Sequence, residues 1–123
     1  MLQPIARGRG DRHKYAWGVI EWLANAVLTP GAGMTFGHVV LDPGAHNPRH
    51  LHPNCHELLY VVAGSLEHEL GDQVVRLPSG SLLHIPQGVV HQARNLLDTP
   101  CEILVAYSSE RRETVFVDVD PKD

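Results

Sequence analysis

Nowhere in the 123 residues does an apolar run approach the roughly 20 residues needed to cross a bilayer, so no membrane partner is expected. No N-terminal segment joins a basic flank to an apolar stretch and a small-residue cleavage site, and the expected location is the cytoplasm. Cysteine is scarce. Cys55 and Cys101 are the only two, and in a reducing compartment they are expected as free thiols rather than a disulfide. Excess positive charge is missing as well. The formal net charge is −4, and a small basic cluster (Arg7, Arg9, Arg12, Lys14) is interrupted by Asp11 with no aromatic platform beside it. Both observations argue against a nucleic-acid partner. There is no low-complexity tract, no phosphate-cradling glycine loop, and no Ser-His-Asp or Cys-His arrangement with supporting context. Any chemistry must run through a bound group and at most one nearby acid or base.

What the chain has in abundance is histidine. Four of its nine histidines fall between His46 and His56, inside the stretch Gly44–Gly64. In an extended strand alternate side chains share a face, so His50 and His52 project side by side, as two imidazoles must to share one cation. Glu57 joins them once the chain turns at Pro53-Asn54 and returns as a second strand. A borderline or hard divalent metal accepts that mixture of nitrogen and oxygen donors.

The remainder reads as short strands. Apolar residues are 43% and charged residues 20% of the chain, a globular balance suited to one core. Strands are expected over Tyr15–Leu28, Met34–Leu41, Leu58–Ala63, Ser65–Leu70, Gln73–Leu77, Ser81–Ile85, Val89–Asn95, Glu102–Ser108 and Thr114–Val119. They are punctuated by Gly, Pro and Asp turns, with little helical periodicity. That pattern predicts an antiparallel all-β sandwich or barrel. Residues 1–13 are expected to be a flexible arm, 14–119 one domain, and 120–123 an acidic tail. The exposed edges of such a fold are expected to be covered in a homodimer by the apolar segment around Trp17 and Trp22.

Two blocks carry a family resemblance. Gly44, His50, His52, Glu57 and Gly64 form the first; Gly80, Pro86, Gly88, His91 and Asn95 form the second; only Ser65–Ser79 lies between them. Together they resemble the two motifs of the cupin superfamily, with the short spacing typical of small single-domain bacterial members. The resemblance implies a jelly-roll β-barrel holding a metal on His50, His52, Glu57 and His91. His91 follows a Pro-x-Gly bend, which lets it enter the barrel from a strand distant from His50. The ligand set leaves Fe²⁺, Mn²⁺, Ni²⁺, Cu²⁺ and Zn²⁺ open.

Two functions stand side by side. One is a metalloenzyme, a dioxygenase or metal-assisted isomerase or lyase, acting on a small organic molecule inside the barrel, with Glu57 available as a general base. The other is a non-catalytic module that binds a sugar or organic acid beside a structural or orienting metal. Phe36, His38, Cys55 and His84 are candidates for the pocket wall. His46 is expected to be exposed, His56 to point away from Glu57, and Asn95 to close a strand. His13 and His68 carry no special signal, and Gly44, Gly64, Gly80 and Gly88 are expected to serve turns.

Overall fold

The computed structural model of the chain describes residues 3–117. Among them every regular element is a β-strand: β1 Asp11–Tyr15, β2 Gly18–Ala24, β3 Thr35–Leu41, β4 His50–Leu51, β5 Glu57–Ala63, β6 Ser65–Leu70, β7 Gln73–Pro78, β8 Leu82–Ile85, β9 His91–Arg94, β10 Cys101–Tyr107 and β11 Val115–Phe116. They form two sheets, ordered β1-β2-β3-β10-β5-β8 and β11-β4-β9-β6-β7, with antiparallel pairing throughout. The architecture is a jelly roll, an antiparallel all-β fold as the strand pattern predicts and of the form that the cupin resemblance implies.

Alternation explains why these segments pair as they do. Along β5, Glu57, Leu59 and Val61 are buried while Leu58, Tyr60 and Val62 are exposed; β10 alternates in the same way. One face of each of these central strands enters the core, where Leu41 and Val61 are 0% and Leu66 is 1% exposed. Each such aliphatic side chain contributes about 1.5–3 kcal/mol through burial. The β6–β7 hairpin reverses at Gly71-Asp72, with Leu70 and Gln73 as its closing pair. The glycines expected at turns, Gly44, Gly64, Gly80 and Gly88, all have positive φ. Gly37 serves packing instead: a Cβ there would lie 2.8 Å from the Trp22 ring, so only a bare backbone lets that indole lie across β3.

The N-terminal region departs from expectation in two ways. Tyr15–Leu28 is not one strand, because the chain reverses at Ala16-Trp17 and β2 starts at Gly18. A side chain at Gly18 would collide with the Val40 carbonyl, 1.9 Å away. The expected arm is also shorter, since Asp11–His13 already belong to β1 and pair with β2. Glu21 draws the preceding segment onto the sheet by accepting hydrogen bonds from the Gly8 and Gly10 N–H groups at 2.9 and 3.0 Å. All five β1 side chains are exposed, so backbone pairing rather than apolar periodicity defines that strand. Trp22 is 7% exposed within the core, and Trp17 stacks on Tyr15 at 5.0 Å. Trp22 therefore has no surface to lend to a partner. The 120–123 tail and the Asp118-Val119 end of the last expected strand lie outside the described residues.

Candidate metal centre

The four residues singled out by spacing come from four places. His50 opens β4, His52 follows it, Glu57 opens β5 and His91 opens β9. His50 and His91 are cross-strand partners, and Glu57 pairs with Tyr107 on one side and Ile85 on the other. Glu57 thus projects from the first sheet toward histidines held by the second. One ring nitrogen from each of His50, His52 and His91 lies within 4.8 Å of the others. Glu57 Oε1 is 3.3 Å from His52 Nε2 and 3.2 Å from His91 Nε2.

Hydrogen bonding orients every ring. His50 Nδ1 donates to the Pro48 carbonyl at 2.7 Å, His52 Nδ1 to Glu113 at 2.9 Å and His91 Nδ1 to Val89 at 2.9 Å. A neutral imidazole with its proton on Nδ1 presents a bare lone pair at Nε2. Nε2 of His52 and His91 and Oε1 of Glu57 are buried without a hydrogen-bond partner. Two lone pairs and a carboxylate oxygen at such range repel unless positive charge lies among them. A proton on a ring supplies it in part; a divalent cation satisfies all of them together. The donor chemistry therefore fits a metal.

Proton affinities agree with that reading. His50 is pushed down to about 4, first by burial and then by the neighbouring His91. For Glu57 burial acts upward, but His52 and His91 override it and hold the carboxyl well below the usual range. A carboxylate held so low is a better ligand than general base.

Above these residues lies a cavity of about 250 Å³ with a mostly aromatic and aliphatic wall, including Tyr15, Trp17, Trp22, Leu59, Tyr107 and Phe116. Five polar residues without a sequence signal also line it: Asn47, His68, Tyr107, Arg112 and Thr114. His68 is 1% exposed, its ring nearly parallel to that of His91 at 5.7 Å, and burial followed by His91 pushes it down to about 4. Its parity with buried Leu66 on β6 was the available clue. Burial and then Glu57 push the Tyr107 hydroxyl well above its usual range.

None of the four expected wall residues lines this cavity. Gly37, Val39 and Leu41 take the inward positions of β3, which turns Phe36 and His38 to the outer face; there His38 Nε2 approaches Glu102 at 3.4 Å. His84 is exposed, with Nε2 3.0 Å from Nδ1 of the equally exposed His56. Cys55 is 1% exposed and packs into the core, where burial raises its thiol. Both cysteines are free, and His46 is exposed as expected. Asn95 ties strand ends together: its Nδ2 donates to the Leu41, Asp42 and Thr99 carbonyls at 3.2, 3.2 and 2.8 Å.

Comparison with known proteins matches a family model described as a cupin domain to residues 37–107. The tetracenomycin polyketide synthase protein TcmJ of Streptomyces glaucescens is 33% identical over 102 residues, covering 78% of this chain and 68% of that protein. Oxalate oxidase GF-2.8 of Triticum aestivum is 32% identical over 109 residues, covering 80% of this chain and 46% of that protein. A solved Bacillus subtilis oxalate decarboxylase, from work on its Mn(II) centres, superposes with a TM-score of 0.79 at 20% identity. It covers 86% of this chain and 29% of that one, a likeness of fold alone. The chain spans about half the length of the plant germin-like relatives it matches.

Proposed function

We propose that this chain, which belongs to the cupin family, is a metal-dependent enzyme whose small organic substrate enters the barrel cavity. His50, His52, Glu57 and His91 would hold one divalent transition metal. A metal there supplies Lewis acidity, or a meeting point for O₂ and an electron-rich substrate. The observation that carries this reading is the set of buried, partnerless donors facing one another while each Nδ1 is tied to a carbonyl. Those carbonyls fix the tautomer and aim of the rings, and burial keeps His52, Glu57 and His91 from bulk water. Glu57 acts first as a ligand, because its depressed proton affinity makes it a weak base.

Among Fe, Mn, Ni, Cu and Zn, the Mn(II) centres named for the decarboxylase of like fold make manganese the first metal to test. The relatives named for oxalate oxidation and for polyketide synthesis support a dioxygenase or a metal-assisted isomerase or lyase as the reaction class. The test is turnover, with and without O₂, of a panel of oxalate, diketones, flavonols and aromatic acids after loading with each metal. Consumption of one compound, absent from metal-free protein, is expected. Saturable binding without turnover under every metal would turn the reading into a binding module.

We also propose a homodimer formed through the outer face of β5 and β8. Leu58, Tyr60, Val62 and Leu82 are 44, 40, 40 and 59% exposed there, beside an edge of the first sheet that has no partner strand among the described residues.

A further inference from the structure

The segment after β10 carries an arginine that the metal reading leaves unused. The Arg112 guanidinium lies over the Trp22 ring at 4.5 Å and the Tyr107 ring at 5.2 Å. It lines the barrel cavity and also a neighbouring pocket bounded by Thr35 and Glu110, so it lies between the two. Arg49, Arg94 and Arg111 each have a carboxylate within 3.5 Å. Arg112 has none within ion-pair distance among the described residues. Its recorded hydrogen bond goes from Nη1 to Thr114 Oγ1, which leaves most of its five N–H donors available. Cation–π contact explains where the group rests, but it does not use those donors.

The guanidinium is also fixed relative to the histidines. Asn54 clamps the segment from both ends, donating to the Arg111 carbonyl at 2.8 Å and accepting from the Glu113 N–H at 3.0 Å. Glu113 and Thr114 in turn face His52 Nδ1 at 2.9 and 3.3 Å. Thr114 Oγ1, which accepts from Arg112 Nη1, links Arg112 to His52, and the Tyr107 ring packs 5.0 Å from that of His52. A permanent planar cation, pre-positioned on aromatic faces, matches a carboxylate in two parallel hydrogen bonds.

From this geometry we infer that Arg112 determines specificity: the cavity takes a flat, ring-bearing carboxylic acid, its carboxylate on Arg112 and its ring against the aromatic wall that Tyr15, Trp17 and Phe116 contribute. The inference rests on the barrel cavity being the substrate site. Size agrees, since a cavity of roughly 150 Å³ takes benzene and this one measures about 250 Å³.

Benzoate and benzamide, alike in shape and different in charge, are the probes. Their binding is measured by calorimetry and by Trp fluorescence on wild type, Arg112→Gln and Arg112→Lys, each with manganese and after stripping by chelator. Wild type is expected to prefer benzoate by roughly tenfold or more, the scale of a charge-assisted hydrogen bond. That preference should vanish in Arg112→Gln, return in part in Arg112→Lys and persist without metal, while benzamide binding stays constant. Equal affinity for the two probes in wild type, or no binding of benzoate, overturns the inference. So does a preference that survives in Arg112→Gln; if that preference also requires manganese, the metal holds the carboxylate and the functional reading stands without Arg112. An Arg112-dependent preference in a protein that binds no metal supports the inference and removes the metal reading instead.

Discussion

Burial and neighbouring imidazoles pull Glu57 in opposite directions, and the imidazoles prevail. For His50 and His68 burial and then the neighbouring His91 act in the same direction, each brought from 6.5 to about 4. Between those values the unfolded chain takes up protons that the folded chain refuses, so stability falls as pH drops from about 6.5 toward 4. Glu57, also lowered, adds stability above its unfolded value of 4.5 that is lost as pH falls below it. Thermal melts from pH 7.5 to 4 should show a decline that starts near 6.5; a flat profile down to pH 5 would contradict it. Substitution tests the same residues directly. His52→Ala and His91→Ala should each abolish stoichiometric metal in elemental analysis while far-UV circular dichroism stays that of a β protein. Full occupancy in both variants would remove the proposed ligand set.

The segment from Ser109 to Val117 links the site to the rest of the fold. It is pinned by Asn54, by β11 pairing with β4, and by the bond from Val117 N–H to the Arg49 carbonyl at 3.0 Å. Its Glu113 carbonyl sets the tautomer of His52. Asn54→Ala should therefore cost about 1–2 kcal/mol in denaturant unfolding and weaken metal binding roughly tenfold. Unchanged metal affinity would mean that His52 is held without this segment. Strands such as β5 and β10 were legible as short, nearly continuous runs of β-branched, aliphatic and aromatic residues bounded by turn residues. β1 was not, because none of its side chains is buried. For β3 the alternation was present but its phase was ambiguous: His38 faces outward because Gly37 yields the inward position to Trp22.

The whole molecule leaves two exposed features at one end of the first sheet, the edge of β8 and the apolar row beside it. If a second copy covers them, light scattering should report a dimer in wild type. Leu82→Asp should shift that equilibrium toward monomer by about tenfold or more, the loss of one buried leucine, without changing metal content. A wild-type monomer across a concentration series would exclude the interface.

From the order of residues alone came the strand-rich class, the histidines that the fold brings together, and the turns that bring them there. These are local matters of alternation, turn chemistry and spacing, and they are written along the chain. The wall of the cavity was decided only in three dimensions. His68, Tyr107 and Arg112 belong to it, and Phe36, His38, Cys55 and His84 do not. Which side of a sheet faces inward depends on what the opposite sheet presents and on where one glycine admits an indole, and neither is encoded within a few residues of the side chain concerned.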